Sequence, residues 1–210
     1  NECVAQRCWW VLVMLDRWNA ISTARPISIL NESVVLLPKL GTMAGDNVYQ
    51  LARLSTILSG FSLAAWSAPK SMTGSPVLSY MMHVSMELFR DFIPPQCTPQ
   101  EFPTLHLAYW HCRLLAYLFQ THTKPTDLMW VCKESAGILL DHPLLITPLT
   151  HHFFCLTTLA LLELRKVDST RDEASLFLKD LLNRSSAPSA WDAVIRDRIA
   201  GLTKPSTTQG

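Results

Sequence analysis

Residues 7–29 read RCWWVLVMLDRWNAISTARPISI, an apolar run with an acid and a base side by side in its middle. This segment constrains the fold more than any other. A membrane-spanning helix needs about twenty predominantly apolar residues. The run extends only from Cys8 to Leu15 before Asp16 and Arg17 interrupt it. The other long apolar stretch, FFCLTTLALLEL at 153–164, follows His151 and His152 and contains Glu163. Both read as helices of a protein core, not as membrane anchors. On a helix over 4–23, Trp9, Val13, Asp16 and Ala20 share one face, and Trp10, Met14, Arg17 and Ile21 share a neighbouring one. Val11, Leu15 and Trp18 fill the remainder, so the helix has no wholly polar side. A buried charge needs a partner. Neighbouring residues on a helix point about 100° apart and serve each other poorly. Asp16 and Arg17 are therefore expected to reach other elements. Arg25 is a candidate partner for Asp16 or for a helix C-terminus, and Pro26 fixes the exit of the chain.

The rest of the chain supplies helices and little else. Seven glycines among 210 residues are few for a sheet-rich fold with many tight turns, and thirteen prolines fit helices with firm stops. The spacing predicts helices over 4–23, 47–66, 77–91, 105–120, 128–140, 149–166, 170–183 and 189–200. Residues 25–41 read as an extended connector, 67–76 as a loop and 92–104 as a proline-broken linker. Asp46 or Asn47 is the expected N-cap of the second helix, and Ser169 opens the seventh. In that seventh helix Ala174, Leu176, Leu178, Leu181 and Leu182 lie on or near one face. No tandem period and no convincing strand alternation appear. The fold class is all-α, a multi-helix bundle of roughly seven or eight helices. It forms one domain over 1–200, with a disordered tail at 201–210.

Chemistry is harder to find. The formal net charge is +1, and no dense run of Lys and Arg offers a nucleic-acid footprint. The six cysteines, Cys3, Cys8, Cys97, Cys112, Cys132 and Cys155, are dispersed without a CxxC pair. They read as reduced thiols of an intracellular protein, inert where their neighbours are apolar. No signal peptide is read at the start of the chain. His106 and His111 are five positions apart, a poor ligand spacing on a helix, and His151 and His152 point apart. They read as core or cap histidines, and no metal site is expected. No nucleophile elbow, HExxH, phosphate-cradling glycine loop or paired-carboxylate signature occurs, so the chain is read as non-enzymatic. Glu87, Arg90 and Asp91 read as a solvated face. Trp66, Tyr80, Met82, Tyr109 and Trp110 are the candidate lining of a ligand pocket between helices, with plain core packing the alternative.

The opening segment resembles the fungal-specific transcription factor domain. That domain is the middle regulatory region of fungal proteins that also carry a binuclear zinc-cluster DNA-binding module. The resemblance rests on a basic residue before Trp-Trp, then Asp-Arg, then a basic-Pro step followed by a β-prone residue. The matching residues are Arg7, Trp9, Trp10, Asp16, Arg17, Arg25, Pro26 and Ile29. Ala24 stands where the family usually has Gly, which admits positive φ more readily. LHLAYWHCRLLAYLF at 105–119, CKESAGILL at 132–140 and PLLITPLTHHFFCLTTLALL at 143–162 are similar to later helices of that region in a generic way.

The resemblance implies the C-terminal part of a larger regulatory region, nuclear localisation, and control of activation by a small-molecule effector or a co-regulator protein. The motif residues themselves are expected to be structural. No cofactor belongs to this chain, because the zinc cluster would lie outside it. No membrane and no direct DNA contact are expected, and homodimerisation stays open. The alternatives are a helical interaction scaffold without a small-molecule ligand and an unrecognised all-α enzyme.

Overall fold

The computed structural model describes residues 2–23, 25–31, 34–36, 39–67, 76–118, 123–145 and 147–183, with 194, 196, 197, 200 and 201. The described residues form eight helices and no strand. They are α1 (Glu2–Thr23), α2 (Lys39–Ala44), α3 (Asp46–Ser67), α4 (Pro76–Asp91), α5 (Pro103–Leu118), α6 (Pro125–Asp141), α7 (Pro148–Leu164) and α8 (Arg171–Asn183). The expected helix over 189–200 and the tail at 201–210 fall, apart from five positions, outside the described residues. So does Ala24.

The chain separates into two compact units, residues 1–123 and 124–210. In the first, α3 is the hub: α1, α2, α4 and α5 all pack on it, and α4 also packs on α5. The apolar periodicity of α3 explains this role, because Leu51, Leu54, Leu58 and Phe61 are all buried. Trp10 and Val13 of α1 close over Leu40 and Ala44 of α2 and Ala52 of α3, with Ile29, Val34 and Leu36 of the connector packed against them. Deeper in the unit, Trp18, Met82, Met86, Phe89, Leu105 and Leu114 are essentially inaccessible to solvent. In the second unit α6, α7 and α8 pack pairwise on one another. Phe153, Leu161, Leu139 and Leu178 are completely buried there. Inside that apolar interface the Ser135 and Thr157 hydroxyls pair at 2.9 Å, which satisfies two polar groups that burial would otherwise leave costly. Leu176, expected on the buried face of α8, is 56% exposed, and Ala174, Leu178 and Leu181 carry the packing.

Two departures from the periodicity have clear causes. Four helices, α4 to α7, begin with proline, so these prolines mark starts and not only stops. Proline suits the first helical position because its missing N–H would have no intrahelical partner there, and its φ is already helical. That is why α6 begins three residues before the first periodic apolar position. The second departure is α2, six residues of which the first three fall in the expected extended connector. It ends at Gly45, whose φ of 91° is open to glycine and strained for other residues. The Gly45 N–H returns to the Gly41 carbonyl at 3.0 Å, a left-handed helix cap that turns the chain directly into α3. At the head of α8, the Thr170 carbonyl accepts from Ala174 N–H at 2.9 Å and its hydroxyl donates to the Leu164 carbonyl at 2.7 Å. Thr170, rather than Ser169, therefore sets that helix start and ties it to the end of α7.

Candidate functional site

Asp16 and Arg17 sit two-thirds of the way along α1, and they turn to different neighbours. The α1 helix closes with the Arg25 N–H bonded to the Ala20 carbonyl at 2.9 Å, and the chain then doubles back alongside the helix. This return brings the connector under the Asp16 carboxylate. Ser28 N–H donates to both carboxylate oxygens, at 3.1 and 3.0 Å, and Ile29 N–H donates to one at 2.9 Å. A carboxylate receiving backbone N–H groups makes charge-assisted bonds, which are roughly twice as strong as neutral ones. Arg25, a candidate partner of Asp16 or of a helix C-terminus, is exposed, and the backbone amides of Ser28 and Ile29 bond the carboxylate.

Arg17 points into the unit and is 1% exposed. Its Nη1 donates to Ser55 Oγ at 3.2 Å and to Thr56 Oγ1 at 3.1 Å, both on α3. Its Nη2 donates to Asn31 Oδ1 at 3.0 Å, on the connector. The hydroxyls can accept because their own protons are committed elsewhere. Ser55 and Thr56 both donate to the Ala52 carbonyl, at 2.8 and 3.0 Å. Ser59 Oγ lies 3.1 Å from Asn31 Oδ1 and 2.8 Å from the Thr56 carbonyl, so its single proton serves one acceptor at a time. Among the described residues every direct acceptor of the guanidinium is neutral. Burial lowers the pKa of Arg17, and the nearby Asp16 charge partly opposes that shift. The guanidinium stays protonated at neutral pH because its ordinary pKa is so high. Its Nε has no hydrogen-bond partner among the described residues.

The pair is therefore a brace. Asp16 fixes the connector to α1, and Arg17 fixes α1 and the connector to α3. The family-like residues divide accordingly: Trp10 and Arg17 face the core, Asp16 is half-buried, and Arg7, Trp9, Arg25 and Pro26 are exposed. Asn31, Ser55, Thr56 and Ser59 complete the node, and sequence reasoning did not single them out. The available signal was the polar cluster Ser55, Thr56 and Ser59 within an otherwise apolar helix.

A second polar cluster joins α4 and α5. Arg113, 7% exposed, pairs with Glu87, which also pairs with Arg90 at 2.5 Å. Glu87 is thus more than part of a solvated face, since it neutralises a buried cation. His83 meets the Tyr117 ring edge-on with centroids 4.9 Å apart. Burial and the Arg113 cation lower the His83 pKa, against the pull of Glu87.

The expected pocket residues do not converge as a group. Met82 and Tyr109 are buried, and Tyr109 stacks on Phe89 at 6.3 Å and meets Trp110 edge-on at 5.0 Å. Tyr80 is 69% exposed and belongs to the opposite side of α4 from Met82. Trp66 lies in α3, and its side chain falls outside the described residues.

Two of the histidines, both on α5, sit in the packing of the first unit. His106 Nε2 lies 2.7 Å from the Cys97 carbonyl and ties α5 to the turn before it. His111 is buried, its ring 5.4 Å from that of Trp18. Among the described residues no group of three or more His, Cys, Asp or Glu is arranged to hold a metal ion. All six cysteines are free thiols. Burial raises the pKa of Cys112 and pushes that of Cys132 up to about 12, which makes both poor nucleophiles. Among the described residues no helix is long and apolar enough to cross a membrane.

The described residues thus form an all-α fold in which a buried polar brace joins α1, the connector and α3. Comparison with known proteins adds a relative. The chain is 29% identical over 174 residues, 83% of its length, to an uncharacterized transcriptional regulatory protein of Schizosaccharomyces pombe. The match covers 20% of that protein, so the chain spans about a fifth of its relative's length. No family model matches the chain, and no solved structure matches it.

Proposed function

We propose that this chain is a non-enzymatic regulatory segment of a fungal zinc-cluster transcription factor, acting in the nucleus and modulating activation through a bound effector or partner. The observation that carries the reading is the similarity to a transcriptional regulatory protein over most of this chain. The Trp-Trp, Asp-Arg and Arg-Pro pattern narrows it to the fungal-specific class. The cysteines here do not suit the zinc cluster: they are dispersed over several elements, and Cys112 and Cys132 are fully buried on separate helices. The cluster therefore belongs to another part of the protein. The mechanism is a shift of population between helical packings, biased by whatever binds one packing better. The brace is suited to define one such packing, because it links α1, the connector and α3 through directional bonds.

The test fuses the chain to an unrelated DNA-binding module that drives a reporter together with a constitutive activation segment. The proposal expects reporter output to differ from that of the fusion lacking the chain, and the difference to vanish with Arg17→Ala. Unchanged output in every fusion, with the chain expressed and folded, contradicts the regulatory reading. A thermal-shift screen against metabolites then separates a small-molecule effector from a protein co-regulator.

A further inference from the structure

Two features of the connector coincide at Ser28. Its backbone N–H donates to both oxygens of the Asp16 carboxylate, at 3.1 and 3.0 Å, in a contact open to solvent. The residue is itself exposed, and so is Arg25, three positions earlier. Residues 25–27 form no helix or turn. Across the whole sequence, arginine stands three residues before a serine or threonine at Ser28 and at Thr56 alone. Thr56 is closed to an enzyme, because it lies within α3 and its hydroxyl donates to the Ala52 carbonyl and accepts from Arg17.

A protein kinase must bring a substrate hydroxyl into line with the γ-phosphate of ATP, which a non-helical segment permits. A carboxylate on the enzyme can hold an arginine of that segment through two parallel bonds. We propose that Ser28 is a phosphorylation site for an arginine-directed protein kinase, with Arg25 the residue it grips, and that phosphate there releases the connector from Asp16. In the transfer, Ser28 Oγ attacks the γ-phosphorus of ATP. The Oγ–P bond forms, the bond from phosphorus to the β,γ-bridging oxygen breaks, ADP leaves, and the hydroxyl proton passes to the enzyme's catalytic carboxylate. Phosphoserine carries a charge of about −2. Amide and hydroxyl belong to one residue, so that charge lies within about 8 Å of the carboxylate, one screening length at physiological ionic strength. Like charges this close oppose the grip of Asp16 on the Ser28 and Ile29 amides. Arg17, the cation beside Asp16, is committed to Ser55, Thr56 and Asn31. Release extends along the connector, because Ile29 packs on the Trp10 and Val13 cluster and Asn31 holds the Arg17 guanidinium. The kinase reads the segment when it opens from α1, and phosphate then prevents its return. Such a switch needs the brace alone and holds whether or not the chain regulates transcription.

Two measurements on the 210-residue chain test this. Incubation with ATP and calcium–calmodulin-dependent protein kinase, an arginine-directed enzyme, followed by tandem mass spectrometry, should place phosphate on Ser28. Arg25→Ala should slow that transfer by about tenfold or more. With phosphoserine genetically encoded in place of Ser28, the amides of residues 28 and 29 should exchange at least about tenfold faster, while the α3 amides stay protected. In an Asp16→Asn background the same phosphate should change those rates by less than about threefold, because the charge it opposes is gone. No transfer to Ser28, or transfer indifferent to Arg25→Ala, overturns the site. Exchange that phosphate leaves unchanged, or speeds equally in the Asp16→Asn background, overturns the switch, as does loss of protection in α3. Ser28 and Ile29 amides unprotected before any phosphate is added would remove the brace itself and the proposal with it.

Discussion

Arg17 and Arg113 are both buried in the first unit, and the chain answers their charges by opposite means. Among the described residues Arg17 has only neutral acceptors, drawn from α3 and from the connector, while the adjacent acid, Asp16, bonds backbone amides instead. Arg113 has a carboxylate, Glu87, which is shared with Arg90 and is 38% exposed. Each arginine keeps an Nε without a hydrogen-bond partner among the described residues. The difference lies in tolerance. An ion pair open to water at one side adjusts to small movements, because solvent screens both charges. A guanidinium held by hydroxyl and amide oxygens depends on three directional bonds, so it fixes geometry more than it adds stability. The Arg17 node is therefore expected to yield less to deformation than the α4–α5 seam.

The largest expected effect follows from that difference. Arg17→Ala removes three hydrogen bonds and leaves a cavity, and urea unfolding should show a loss of about 3–5 kcal/mol. Arg17→Met should recover more than half of that loss, because Ser55, Thr56 and Ser59 keep their bonds to the α3 backbone. Equal losses in both variants would show that the charge itself stabilises the node and would break the contrast with Arg113. Glu87→Gln comes next. The Glu87–Arg113 pair is more than a third exposed on the acid side, so its loss should cost only about 1 kcal/mol in the same measurement. A loss as large as that of Arg17→Ala would erase the distinction.

A smaller effect belongs to pH. In the folded chain the His83 pKa lies below its ordinary 6.5, mainly through burial, and His152 is lowered too, by burial and by His151. The unfolded chain therefore binds protons that the folded chain resists. The stability these histidines contribute is fully present above about pH 6.5, and it is lost as pH falls through the lowered folded values. The melting midpoint should drop between pH 7 and pH 5, and His83→Asn should flatten part of that slope. An unchanged slope in the variant would remove His83 from the account of the seam.

Much of the helical framework was legible because local periodicity carries it. The expected helix over 47–66 is α3 to within one residue at each end, and 170–183 differs from α8 by one. The short α2 was not legible, since six residues including Gly41 hold no period and their helicity depends on packing under Trp10. The need of Asp16 and Arg17 for outside partners was also legible from the absence of a polar face. Who those partners are was not. Asn31, Ser55 and Thr56 lie 14, 38 and 39 positions from Arg17, and only the fold of the connector brings them together. Arg113 was missed for a related reason: its partner Glu87 reads locally as a surface acid, and its burial is a property of the α4–α5 interface.

The central claim is that the acid and base of α1 act as a brace on the connector and α3. Amide hydrogen exchange at Ser28 and Ile29, read by NMR in the wild type and in Asp16→Ala, tests it most directly. The brace predicts that both amides are protected in the wild type and exchange at near-unfolded rates in the variant, while the α3 amides stay protected. Protection at Ser28 and Ile29 that is the same in both proteins would contradict it.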